Sequence, residues 1–167
     1  MERRRFESFY RTYLKRVYKF VYFRVGSDQK LAEDLTQDVF VKAFEAFDRY
    51  DPAISQSSWI YTIARNHVIN HYAKTRPAIT LDEIEGSVWG SKDGRDVLAQ
   101  KQTDVRVLEA LGSLGEDDAR LVRLKYLEGW SFDELSDIFQ KKSGALRVQA
   151  GRAMKRLKQE ITKRKIL

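Results

Sequence analysis

Apolar residues recur every three or four positions along most of this chain, and that spacing constrains its fold more than any other feature of the sequence. In the first 25 residues it predicts one buried face of a long helix, formed by Phe6, Phe9, Tyr10, Tyr13, Val17, Phe20, Val21 and Val25. A second helix has its stripe at Leu31, Leu35, Val39, Ala43 and Phe47. A third runs from Trp59 to Arg76, where Pro77 stops it. The same periodicity returns in the second half of the chain, so the predicted fold is all-α.

Turn-forming and capping residues set the expected limits of these helices. Gly26 is expected to end the first helix, and Ser27 or Asp28 to cap the second. The stretch RYDPAISQSS is a predicted loop because it holds a proline and several serines. Ser57 or Ser58 is expected to cap the third helix.

Residues 77–104 interrupt the helical pattern. This segment contains three glycines and mixed charge in TLDEIEGSVWGSKDGRD, with no sustained period. We interpret it as a flexible linker between two small helical domains, residues 1–76 and residues 105–167.

The second domain contains a predicted helix-turn-helix. Ser131 and Glu134 have the spacing of a capping box, and the short helix that they begin is followed by the turn QKKSG and a long helix from about Ser143. In this motif the start of the second helix meets base edges in the major groove, here at Ala145, Arg147, Val148 and Gln149. Four further residues are placed to hold phosphates, namely Lys141, Lys142, Ser143 and Arg152. A helical hairpin inside a bundle would explain the same pattern.

Charge is distributed unevenly in the second half. Residues 141–167 hold ten Lys and Arg against one acid, Glu160, whereas residues 108–140 hold three basic and eight acidic residues. A basic C-terminal segment next to an acidic segment favours a polyanionic partner that docks on a defined face. A solvated basic helix end is the alternative.

The residue types that catalysis and metal binding require are scarce. Cysteine is absent, and the two histidines, His67 and His71, have the spacing of a helical metal pair but no third ligand. We therefore predict no metal, no cofactor and no enzyme activity.

The basic N-terminus is not followed by a continuous apolar core, and no stretch is long and apolar enough to span a bilayer, so we expect a cytoplasmic protein without membrane insertion.

Three segments carry a resemblance to a known family. AEDLTQDVFVKAFEAFDRYDP and WIYTIARNHVINHYAKTR resemble the sigma-70 family of RNA polymerase sigma factors, in its extracytoplasmic-function (ECF) group. GWSFDELSDIFQKKSGALRVQAGRAMKRL resembles the family's C-terminal helix-turn-helix, and it aligns without a gap. The resemblance implies a factor that binds core RNA polymerase and directs it to promoters through two DNA elements, at −10 and −35.

The resemblance also implies which residues meet which partner. Asp34, Gln37 and Asp38 match the segment that docks on the clamp helices of the polymerase largest subunit, and the flap of the second-largest subunit is a further partner. Their spacing alone places these three residues on one polar helix face. A solvated surface without a partner is the alternative interpretation of that face. An anti-sigma protein is a partner that the resemblance allows.

The loop from Arg49 to Ser58 and the helix after it match the family's element for melting and reading −10 DNA. Extruded bases need stacking surfaces and polar edges. Tyr50, Trp59 and Tyr61 are candidates for stacking, with core packing as the alternative for Trp59. Hydrogen bonds to base edges are assigned to Ser55, Gln56, Ser57 and Asn66, and phosphate contacts to Arg65, Lys74 and Arg76. Arg49, at the start of the loop, is a further −10 residue.

The −35 half departs from the family pattern. Gln140 and Lys141 stand where the family's turn usually carries Gly and then Ile. In the recognition helix, Val148 and Gln149 stand where the family usually has polar or basic residues, and Ala150 stands where Leu is common. We expect the motif to fold and to read a −35 sequence different from the common ECF target. Two other function classes stay open: a dimeric helix-turn-helix repressor or activator that reads a palindrome, and an enzyme acting on nucleic acid.

Overall fold

The computed structural model describes residues 2–75 and 109–163, and every regular element in these ranges is helical. The first range contains α1 (Glu2–Arg24), α2 (Gln29–Ala46), a 3-10 turn (Phe47–Arg49) and α3 (Gln56–Thr75). The second contains α4 (Glu116–Val122), a π-helical turn (Arg123–Leu127), α5 (Phe132–Phe139) and α6 (Ser143–Lys163). The all-α prediction is confirmed. The predicted linker, residues 77–104, lies outside the described residues.

Local chemistry explains where the helices begin and end. Gly26 and Ser27 both have positive φ, 68° and 61°, so the chain leaves α1 through left-handed backbone. Asp28 then caps α2 by accepting a hydrogen bond from the Leu31 amide at 3.0 Å. The cap predicted for α3 was wrong: Ser55, rather than Ser57 or Ser58, accepts a hydrogen bond, from the Ser58 amide at 3.2 Å.

The three helices of the first half pack around one apolar core. Their inward residues, among them Val17, Val21, Val39, Ile60 and Val68, are fully buried. Phe6 and Phe9 extend this core to the 3-10 turn, where their rings lie 5.1 and 5.5 Å from the Phe47 ring. The aromatic contacts fix the loop after α2 onto the body of the helices.

The second half has the predicted helix-turn-helix. The capping box of α5 is present, with the Ser131 hydroxyl accepting from the Glu134 amide and the Glu134 carboxylate accepting from the Ser131 amide. Gln140, which ends α5, has left-handed backbone at φ 52°, so the turn keeps the geometry that glycine usually supplies. Leu135, Leu146 and Ala150 are buried between α5 and α6.

The two halves are packed against each other and share one hydrophobic core. Trp130 is completely buried, and its ring lies 6.2 Å from the Tyr13 ring and 6.0 Å from the Tyr61 ring. Beside it, the Arg24 guanidinium of α1 donates to the Glu128 carboxylate at 2.8 Å. The sequence pattern of two separate domains did not predict this contact.

Among residues 2–75 and 109–163, none of the helices combines the length and apolar character needed to cross a membrane.

Candidate nucleic-acid interface

The exposed side of α6 is a basic surface with an apolar centre. The buried side of this helix is formed by Leu146, Ala150, Ala153 and Leu157. The opposite side presents Ala145, Val148 and Arg152, and Lys141 and Lys142 are exposed in the preceding turn. Val148 is 54% exposed, so its side chain is accessible on this surface.

The two residues predicted to read bases by paired hydrogen bonds lie at the edges of this surface. The Arg147 guanidinium lies 5.5 Å from the centre of the Phe132 ring, over the start of α5. The Gln149 amide donates to Asp118 at 2.8 Å, and Arg156 also pairs with Asp118. Gln149 is therefore held by an acidic residue that precedes the motif, with its amide oxygen not engaged in that hydrogen bond.

The loop after α2 forms an aromatic surface next to the start of α3. The rings of Tyr50 and Trp59 lie 4.9 Å apart at 53°. Trp59 is half-buried and also packs on Phe9 at 5.6 Å. The Tyr50 hydroxyl donates to the Ile54 carbonyl, and the Asp51 carboxylate accepts from the Ala53 amide at 2.9 Å. These internal hydrogen bonds give the loop a defined shape.

The predicted −10 residues fall into an exposed and a buried group. Arg49, Gln56, Asn66 and Lys74 are exposed, Ser55 and Arg65 are half-buried, and Arg76 lies outside the described residues. Ser57 and Tyr61 are buried, and the Tyr61 hydroxyl accepts a hydrogen bond from Arg120 at 3.0 Å. In this arrangement Tyr61 is a core residue, and its assignment to base stacking is not supported.

Sequence reasoning missed one residue of the exposed α3 surface. Asn70 is exposed and follows Asn66 by four residues, so the two amides share a helix face with Trp59. The i, i+4 repetition of Asn was the signal that would have identified it.

The predicted polymerase-docking residues lie together on α2. Asp34, Gln37 and Asp38 are exposed, on the side away from the buried Leu35 and Val39. Asp38 and the neighbouring Lys42 both contact His67 of α3. Burial, and then the nearby Lys42 ammonium, lower the pKa of His67 below 6.5, although Asp38 opposes the shift.

An open apolar groove of about 700 Å³ lies beside this face, between α1 and α2. Gln37 belongs both to the groove and to the acidic face. Val41 and Phe44 line it and are 49% and 53% exposed. Its charged lining residues are both acidic, Glu33 and Glu45. Apolar side chains this exposed indicate a surface that meets a partner.

Two family models match the chain in order. The model for Sigma-70 region 2 matches residues 9–77, and the model for Sigma-70 region 4 matches residues 104–157. The first range contains the acidic face and the aromatic loop, and the second contains the helix-turn-helix.

Curated relatives align over most of the chain. The ECF RNA polymerase sigma factor BldN of Streptomyces coelicolor is 28% identical over 155 residues, which are 91% of this chain and 58% of BldN. The chain thus spans less than two thirds of that relative. The ECF RNA polymerase sigma factor SigX of Bacillus subtilis is 24% identical over 164 residues, 93% of this chain and 83% of SigX.

Solved structures share the fold. CnrH, in complex with the cytosolic domain of CnrY, superposes with a TM-score of 0.60 at 21% identity, covering 96% of this chain and 89% of that chain. The sigma factor RpoE of Bartonella quintana, in complex with the anti-sigma factor NepR, gives 0.54 at 21% identity, covering 93% and 98%.

Proposed function

Because the chain belongs to the sigma-70 family of RNA polymerase sigma factors, in its ECF group, we propose that it binds core RNA polymerase and directs promoter-specific transcription initiation. The observation that supports the proposal is the match to Sigma-70 region 2 followed by the match to Sigma-70 region 4, which contain the aromatic loop with α3 and the helix-turn-helix. The protein acts by binding, in the cytoplasm, where the transcription machinery works.

Melted −10 bases are captured on the outer face of α3. The Tyr50–Trp59 ring pair provides a stacking surface, and Asn66 with Asn70 provides amide donors and acceptors for base edges. Lys74 and Arg49 are exposed cations for the phosphates beside these bases. Base stacking on an aromatic side chain contributes about 1–3 kcal/mol, which offsets part of the cost of opening the duplex.

The −35 element is read by the outer face of α6. Lys141, Lys142 and Arg152 bind phosphates and set the position of the helix on the duplex. Val148 at the centre of the face meets a base edge through apolar contact, which in the major groove selects the thymine methyl group. Arg147 reaches the groove from the side of α5, and a guanine there is its preferred base.

Core polymerase docks on α2. The acidic face of Asp34, Gln37 and Asp38 meets basic groups of the clamp helices of the largest subunit, and the adjacent apolar groove accepts apolar side chains of the same partner. The second half contacts the flap of the second-largest subunit. Since two structural neighbours were solved with CnrY and NepR, we include an anti-sigma protein among the partners.

Selection of DNA from a random duplex library tests the proposal. With chain and purified core polymerase together, we expect the recovered sequences to share two separate blocks at a fixed spacing. A single palindromic block recovered by the chain alone would favour the dimeric repressor instead. Asp34→Asn/Asp38→Asn should lose the two-block signal while the helix content stays unchanged, because both side chains are exposed.

A further inference from the structure

A three-residue contact joins the docking helix α2 to the DNA-binding helix α3. The Lys42 ammonium lies 2.9 Å from His67 Nδ1, and His67 Nε2 lies 3.4 Å from Asp38 Oδ2. The imidazole side chain is only 12% exposed, whereas the Asp38 side chain is 60% exposed. The histidine therefore lies between a lysine and the carboxylate that we assign to polymerase docking.

The chemistry of the contact fixes the histidine tautomer. An ammonium group only donates, so Nδ1 must accept and the ring proton of neutral His67 must be on Nε2. That nitrogen lies 3.4 Å from Asp38 Oδ2 and makes no hydrogen bond in the structure. His67 thus accepts from Lys42 and leaves the neighbouring Asp38 carboxylate without a hydrogen bond from the ring.

The sequence gives Lys42 a competing partner. Asp38 and Lys42 are four residues apart on α2, the spacing at which an acid and a base pair on a helix surface. Such a pair would place a positive charge on the docking carboxylate and weaken its attraction for basic groups of a partner. In the structure the Lys42 ammonium is instead held by His67.

We propose that His67 is a positioning residue for polymerase binding: it holds Lys42 away from Asp38 and keeps that carboxylate free for the clamp. This inference rests on the proposed docking role of Asp38. The charged and titratable groups that face the imidazole are Asp38 and Lys42 of α2 and His71 of α3. Once protonated, His67 can no longer accept from Lys42, so acid should weaken docking through this residue.

Affinity for purified core polymerase, measured by fluorescence anisotropy of the labelled full chain, tests the proposal. His67→Ala releases Lys42, and we expect affinity to fall about two- to fivefold, the range of an exposed ion pair. Removing the lysine as well, in His67→Ala/Lys42→Ala, should restore wild-type affinity. His67→Gln should keep wild-type affinity, because an amide oxygen accepts from Lys42. It should also abolish the loss of affinity between pH 7 and pH 5.5 that His67 causes. Lys30→Ala, another exposed lysine of α2, is the matched control and should not rescue His67→Ala.

The outcomes separate the two proposals. If Asp38→Asn binds core as tightly as the wild type, the docking role of Asp38 is wrong. If Asp38→Asn weakens binding but His67→Ala does not, the positioning role of His67 is wrong. A loss in His67→Ala that persists when Lys42 is removed would show that the imidazole only supports helix packing, and would also overturn the proposal.

Discussion

At the scale of single residues, exposed and buried side chains divide the candidate sites more sharply than their chemical type. Val148 is an apolar residue on the basic face of α6, where packing inside the protein does not explain it. Tyr61 is an aromatic residue in the segment that we propose to bind −10 DNA, yet it is buried against Trp130. The sequence placed both residues among the DNA-binding candidates, and their exposure fits that placement for Val148 but not for Tyr61.

Val148 should recognise a thymine methyl group in the −35 element. We expect replacement of one thymine by uracil in the selected duplex to weaken binding of the wild-type holoenzyme by about 0.8 kcal/mol, the value of one buried CH2-sized apolar group. Val148→Ala should bind thymine and uracil duplexes equally. Wild-type binding that is insensitive to uracil at every −35 position would contradict this assignment.

His67 should make the stability of the protein depend on pH. Its pKa is lowered in the folded chain, mainly by burial and then by Lys42, from 6.5, so the unfolded chain binds a proton first as the pH falls. The contribution of His67 to the free energy of unfolding is therefore fully present above pH 6.5. It is lost as the pH falls from there towards the lowered pKa. Urea unfolding between pH 7.5 and 5 should show this decrease, and His67→Gln should remove part of it. An identical pH profile for both proteins would refute the prediction.

At the scale of helices, sequence periodicity and capping rules predicted most of the elements. The capping box of Ser131 and Glu134 follows from local spacing, which is why it was predicted correctly. Most of the predicted stripe of α1 is buried, but Tyr10 is exposed and lines the groove between α1 and α2. The cap of α3 was placed wrongly because several serines in a row offer the same chemistry, and only the path of the loop selects Ser55. The contact of Gln149 with Asp118 joins residues 31 apart in sequence, beyond the reach of local rules.

Helix α6 should become more stable when the exposed Gly151 in its interior is replaced. Gly151 lies inside the helix, and a methyl group added there would meet no atom within 4 Å. Gly151→Ala should raise the free energy of unfolding by about 0.5–1 kcal/mol, since glycine is the weaker helix former. The matched change Gly129→Ala should destabilise, because Gly129 has φ of 84°. Chemical denaturation measures both, and a loss of stability in Gly151→Ala would contradict the helical account.

At the scale of the whole molecule, the packing of the two halves against each other was not predicted from the sequence. Arg24 and Glu128 are 104 residues apart and almost completely buried, and each charge is tolerated there only because the other is present. Arg123 adds a second guanidinium beside Glu128, and burial lowers its pKa to about 10. Periodicity predicts that a residue is buried but does not predict which distant helix covers it.

This packed arrangement should open when the chain binds two promoter elements. Because breaking one partner of a buried ion pair costs about 3–5 kcal/mol, Glu128→Gln should separate the halves in the free chain.

The chain has no cysteine, so spin labels at Ser8→Cys and Lys158→Cys report one distance by pulsed electron paramagnetic resonance. We expect a narrow distribution in the wild type and a longer, broader one in Glu128→Gln and in the core complex. Glu160→Gln, which loses an ion pair within α6, is the control. Unchanged distances in the core complex would show that the halves work while packed together.

The most direct test of the central claim is promoter-specific transcription with purified core polymerase on duplexes carrying the two selected blocks. With the chain present, we expect a transcript from one defined start site downstream of the second block, lost on mutation of either block. Asn66→Ala should reduce that transcript and the permanganate reactivity of −10 thymines while core binding is kept. No transcript above core polymerase alone, together with tight binding of an operator by the isolated chain, would contradict the assignment as a sigma factor.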